Sequence, residues 1–198
     1  MLRGFGRLCF LAAAVVAGYL IWMLWGTGII TSHAQNVLRN EFETEMAHPK
    51  PPPTYLTPEL VRLAGHAYAE IVIPRINLDM IVVEGTDTAS LTKGPGHYPR
   101  SANPWDDTGR VAIAGHRTTY LHPFWNLDKM RPGDLIRLVT EYGTFDYGVT
   151  KVAAVPPNDT QIAAPTERPT LILTTCTPRF SATQRLVVFA DREEVEIP

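Results

Sequence analysis

Three residues at the ends of strand-like runs could together carry out thiol chemistry. Thr170-Leu171-Ile172-Leu173-Thr174-Thr175-Cys176 is a β-branched run that ends on a cysteine. Val111-Ala112-Ile113-Ala114-Gly115-His116 ends on Gly-His, and Arg185-Leu186-Val187-Val188-Phe189 opens on an arginine. A strand end is where a rigid sheet can present a polar side chain at a rim or groove. A thiolate attacks acyl carbons where a neutral thiol barely does. Histidine can hold the thiol proton and pass it to a leaving amine. Arginine keeps its charge, which makes it useless as a base and well suited to a carbonyl or oxyanion. Each residue has a plainer explanation when taken singly: an inert core thiol, a structural imidazole, a solvated guanidinium. Their combination describes a candidate thiol acyl-transfer site.

The two cysteines of the 198-residue chain strengthen Cys176 as the nucleophile. Residues 8–30 contain no Asp, Glu, Lys or Arg. As a helix this run would be about 35 Å long, enough for a bilayer core of about 30 Å. Arg3 and Arg7 precede it and no acidic residue occurs before Glu41, so the N-terminus is expected in the cytoplasm and the rest of the chain outside. Tyr19, Trp22 and Trp25 suit an interfacial belt, and a retained anchor fits the run's length better than a cleaved leader. Cys9 lies at the cytoplasmic end of that anchor and Cys176 far out on the other side. They cannot form a disulfide within one chain. An exported protein that keeps one unpaired thiol needs a reason for it: a buried, inert cysteine or a nucleophile.

Past the anchor, Ala34, Leu38, Phe42 and Met46 recur every four residues, which predicts a helix with Ser32 available as its cap. The proline-rich run 49–53 cannot continue a helix and favours an extended chain. Three units are expected: a cytoplasmic tip and anchor over 1–30, a helical and proline-rich stalk over 31–66, and a catalytic domain over 67–198. In the last of these, short runs at 69–76, 80–83, 111–114, 135–139, 144–149, 170–174 and 185–189 read as strands. Turn signals such as Arg131-Pro132-Gly133-Asp134 separate them. Many short strands without alternating helices predict an all-β domain, a closed or nearly closed barrel with short helices.

Other chemistries find little support. Acidic residues outnumber basic ones, 20 to 18, so nucleic acid is not an expected partner. His33, His48, His66, His97 and His122 show no paired metal spacing, and Asp106, Asp107 and Asp128 are scattered loop carboxylates. Neither a metal nor another cofactor is expected.

At the level of motifs the chain resembles the sortase family. The likeness rests on Ala114-Gly115-His116, Leu173-Thr174-Thr175-Cys176 and Arg185 in that order, and covers roughly residues 67–198. Lys93-Gly94-Pro95-Gly96-His97-Tyr98-Pro99, Gly115-His116-Arg117-Thr118-Thr119-Tyr120 and Cys176-Thr177-Pro178-Arg179-Phe180 resemble the class E branch most. The resemblance implies an eight-stranded barrel behind a single-pass anchor, with Cys176, His116 and Arg185 catalytic. It implies cleavage of a C-terminal sorting motif, Leu-Ala-x-Thr-Gly or Leu-Pro-x-Thr-Gly, between Thr and Gly through a thioacyl-enzyme. The secreted protein then passes to an amine of a peptidoglycan precursor or a pilin. Thr175, Tyr98 and Tyr120 are the candidate substrate contacts, Tyr98 for the alanine position. Two other functions compete: a hydrolytic cell-wall cysteine peptidase, and an anchored scaffold or adhesion domain with a vestigial triad.

Overall fold

A computed structural model describes residues 2–48 and 63–193. The proline-rich run at 49–58 lies outside the described residues. Eight strands form the domain: β1 (Ala67–Ile73), β2 (Leu78–Glu84), β3 (Gly96–His97), β4 (Arg110–Ala114), β5 (Leu135–Thr140), β6 (Gly143–Val155), β7 (Thr170–Thr177) and β8 (Gln184–Arg192). They close into a barrel in the order β1-β2-β3-β4-β7-β8-β6-β5, with β5 pairing back to β1. Closure removes free sheet edges, which is how a domain made of short strands avoids edge-to-edge association.

The alternation of β7 decides what faces inward. Leu171 and Leu173 are fully buried and join Ile71, Ile113, Leu138 and Val188 in the interior. Ile172, Thr174 and Cys176 therefore point to the outer face, because successive side chains alternate across a strand. Ile172 is nevertheless buried, packed with Ala112 and Val187 against Val155 at the end of β6 and Ile162 of the β6–β7 connection. That connection builds a wall over one outer strip of the barrel, and the strip leads to Cys176.

Two sequence expectations are corrected. The first strand ends at Ile73, not Ile76, because Pro74 has no N–H for the ladder and Pro74–Ile76 turns as a 3-10 segment. Ser32 caps nothing. The chain is helical from Leu2 through a π turn at Trp22–Gly26 and on to Met46, so Ser32 lies mid-helix and its hydroxyl donates to Gly28 O at 2.8 Å.

This N-terminal rod consists of α1 (Leu2–Ile21), the π turn and α2 (Thr27–Met46). It is long and apolar enough to cross a membrane. Its second half lies against the barrel. Leu38 and Phe42, half of the face expected from their spacing, bury against Ala67, Ile81 and Val83. Burying two such side chains contributes about 3–6 kcal/mol. Polar contacts fix the register of the docking. Gln35 Nε2 donates to Ile81 O and Lys93 O, its Oε1 accepts from Ile81 N, and Arg39 bridges Glu70 and Asp79.

Candidate active site

Cys176 and Arg185 face each other as a cross-strand pair of β7 and β8. Directly opposed residues share a face, so both side chains project outward from neighbouring strands. The Arg185 Nη1 donor lies 3.5 Å from Cys176 Sγ. The same nitrogen reaches Ala182 O and Gln184 O at 3.4 and 3.3 Å, so backbone carbonyls hold the guanidinium beside the sulfur. Both side chains are half-buried at the barrel rim. Cys176 is a free thiol, as is the exposed Cys9.

His116 reaches the site by a different route. β4 runs parallel to β7 with Ala112 beside Ile172 and Ala114 beside Thr174. Two residues further along each chain stand His116 and Cys176. The register continues across the exit of β4, because Gly115 N donates to Thr174 O at 3.0 Å. Thr175 Oγ1 in turn donates to Gly115 O at 2.8 Å. Gly115 itself must be glycine: a Cβ there would come within 2.6 Å of the buried Phe124 ring. Phe124 N donates to His116 O, closing the loop that carries the imidazole. Burial holds the His116 pKa below the ordinary histidine value, so the ring is neutral near pH 7 and free to accept a proton.

The other expected contacts divide. Thr175 is buried, and its hydroxyl is engaged by Gly115, so its side chain steadies the histidine loop and does not face a substrate. Tyr98 is 38% exposed, and its hydroxyl lies 3.4 Å from Thr174 Oγ1. With Arg185, Thr174, Ile162, Asp159 and Pro157 it lines a groove of about 190 Å³ that runs along the outer strip to the site. Tyr120 belongs to the other side, its ring centroid 4.8 Å from that of His116. A larger hollow of about 960 Å³ lies at the far end of the barrel, around Trp105, Tyr142 and Arg192, and is lined by none of the three catalytic candidates.

Arg117 was missed, although it directly follows His116. It is buried, and its Nη1 donates to Thr177 Oγ1 at 2.9 Å and Cys176 O at 3.3 Å. Its Nη2 pairs with Asp128, which also accepts from Arg179. Asp128 is thus a carboxylate shared by two guanidiniums that tie the β7 end to the loop after His116. A buried arginine with a partner braces backbone, and the only sequence sign of it was its place in the motif.

Fold and local geometry together define a class: a closed eight-stranded barrel with a cysteine and an arginine paired across β7 and β8 and a histidine just past the end of the neighbouring β4. The chain belongs to the sortase family, whose domain model matches residues 71–193. Sortase D of Bacillus subtilis (strain 168) is 40% identical over 133 residues, covering 65% of each chain. Among solved structures, a Clostridium perfringens Sortase D5 transpeptidase superposes with a TM-score of 0.67 at 25% identity, covering 83% of this chain and 99% of that one. Sortase E from Streptomyces avermitilis superposes at 0.59 with 35% identity, covering 67% and 91%. The chain spans 56–65% of the length of the curated relatives it matches.

Proposed function

We propose that this chain is a membrane-anchored cysteine transpeptidase that cleaves a C-terminal sorting motif between Thr and Gly. The observation that carries this reading is the Cys176 sulfur, set 3.5 Å from the guanidinium of Arg185, which itself lines the groove. Neutral His116 takes the thiol proton. The thiolate then attacks the threonine carbonyl carbon, and Arg185 receives the negative charge that develops on its oxygen. Collapse breaks the Thr–Gly bond as His116 returns its proton to the glycine nitrogen, leaving a thioester on Cys176. An amine of a peptidoglycan precursor or a pilin attacks the thioester and regenerates the thiol. Every step uses groups of the chain and its two substrates.

The apolar rod is the anchor, and Arg3 and Arg7 place its N-terminus in the cytoplasm with the barrel outside. The donors are secreted proteins that carry a C-terminal sorting signal. The test uses the full chain in detergent micelles with a Leu-Ala-x-Thr-Gly peptide and no amine. Intact mass should rise by the acyl fragment up to threonine, and proteolytic mapping should put the increment on Cys176. An unmodified chain, or an increment on any other residue, overturns the assignment.

Within the groove, Tyr98 reads the residue that is alanine or proline in the motif. Its hydroxyl near Thr174 and its place on the lining beside Arg185 support this role. Tyr98→Ala should shift the ratio of kcat/KM between Leu-Ala-x-Thr-Gly and Leu-Pro-x-Thr-Gly peptides by roughly tenfold, the scale of a small apolar difference in a pocket. Tyr98→Phe separates hydroxyl from ring. An unchanged ratio in both variants removes Tyr98 from specificity.

A further inference from the structure

The N-terminal rod and the catalytic histidine are physically joined. Thr27, the first residue of α2, is buried, donates its hydroxyl proton to Met23 O at 2.9 Å and accepts the backbone N–H of Tyr120 at 3.2 Å. Gly28 allows this approach: a methyl placed there would come within 3.2 Å of Leu121 Cδ2. The loop is thus drawn onto the helix by a hydrogen bond at one residue and side-chain contact at the next.

The loop has reason to need an outside hold. Tyr120, Leu121 and His122 take φ of +53°, +58° and +39° in succession, and none is glycine. L-residues disfavour this region, so such a run persists only where its surroundings impose it. The first of them, Tyr120, sets its ring beside His116 at 4.8 Å between centroids.

We propose that Thr27 is a positioning residue for the catalytic loop, holding Tyr120 against His116 through the helix that anchors the protein. The inference rests on the transpeptidase assignment for its kinetic arm alone. An apolar side chain of the same shape at residue 27 would leave Tyr120 N–H without its acceptor, and the strained loop would relax. Tyr120 would then drift from His116 and water would reach the imidazole. Substrate lies in the groove on the other side of the site, so binding should survive while proton transfer suffers.

The experiment uses the full chain in nanodiscs, with Thr27→Val, Thr27→Ser and Gly28→Ala. Thr27→Val should lower kcat with a Leu-Ala-x-Thr-Gly peptide and glycinamide roughly tenfold, with KM within about twofold, as expected for misplaced catalytic groups. Thr27→Ser, which keeps the hydroxyl, should stay near wild type. Gly28→Ala, which crowds Leu121, should act like Thr27→Val but less. Independently of turnover, the His116 ring signal in histidine-labelled protein should titrate below the ordinary value in the wild type. In Thr27→Val it should titrate about half a pH unit higher, because hydration favours the charged imidazole.

Wild-type kcat and titration in Thr27→Val, or a Thr27→Ser variant as impaired as Thr27→Val, overturn the inference. So does a loss that merely follows the folded fraction with no change in the histidine titration. A wild-type chain that forms no acyl-enzyme would defeat the transpeptidase assignment instead, and the titration would still decide the role of Thr27.

Discussion

Arg185→Lys should lower the rate of Cys176 acylation by about 10²–10³-fold, nearly as much as Arg185→Ala, while KM for the peptide changes little. The reason is geometric as much as electrostatic. Arg185 Nη1 reaches the sulfur while also donating to the carbonyls of Ala182 and Gln184. A planar guanidinium with several fixed donors can keep those carbonyl contacts and still offer N–H groups to an oxygen forming near Cys176. An ammonium on a flexible stem is a compact point charge that cannot span both tasks. Loss of one oxyanion donor costs about 3–4 kcal/mol of transition-state stabilisation, which gives the expected rate effect. Arg185 sits half-buried at the rim, so thermal stability should hardly change. Single-turnover formation of the thioester, followed by quench and mass analysis, measures the step directly. A lysine variant within about threefold of wild type would show that a simple positive charge is sufficient, and the role given to the fork of donors would be wrong.

Glu84→Ala should destabilise the barrel by about 3–5 kcal/mol, roughly 10 °C in melting temperature, and so cause the largest stability loss foreseen for a single substitution here. Glu84 ends β2 and His97 lies in the two-residue β3 that pairs with it. Both are almost fully buried, with His97 Nδ1 2.9 Å from Glu84 Oε2. The other ring nitrogen faces Ser101 Oγ and Ala102 O at 2.9 and 3.2 Å, and the ring stacks on Tyr68 at 4.0 Å. Removing the carboxylate leaves a polar imidazole edge in the interior with no acceptor, which is the costly way to break a buried pair. Replacing both residues together, Glu84→Leu with His97→Phe, should recover more than half of the loss, because neither member of the pair is then left facing an apolar partner. Thermal melts of the two single variants and the double variant form the cycle that tests this. Near-additive losses would mean that the pair is not the unit described.

The contrast between these residues shows what the sequence could reveal. Cys176 stood out in the sequence because the expected topology separates it from Cys9, and a lone thiol on an exported domain would be chemically conspicuous. Seven of the strands were legible from β-branched runs of four residues or more. β3 was not: Gly96–His97 is too short to show any period, and its surroundings read as a turn. An eighth strand was expected only from family resemblance. The helix face at Leu38 and Phe42 could be read from its spacing, but its partner could not, since a hydrophobic stripe does not say what it packs on. Gln35 and Arg39 looked like ordinary surface residues, and their bonds to Ile81, Lys93, Glu70 and Asp79 cross 31 to 58 positions of sequence. Thr175 differs from its neighbours by one step of alternation: residues 174 and 176 face outward, whereas 175 turns to the inner side and its hydroxyl grips Gly115. The Arg117–Asp128 ion pair was invisible because it depends on three-dimensional closure of a loop, which leaves no periodic trace.

The unbroken helix has a consequence for where the chemistry takes place. From Leu8 to Gly26 it rises about 28 Å, close to one bilayer core, and its next residue already touches the loop that follows His116. If this stretch is the proposed anchor, no slack is left between lipid and barrel, and the groove would be held at headgroup height without a tether on which to ride outward. The proposed donor and acceptor would then meet it there, by sideways drift in the plane of the membrane. Their encounter would be governed by surface density, not by bulk concentration. A sorting signal still held in the lipid, and an acceptor still attached to a lipid carrier, would each arrive at the level where Cys176 waits.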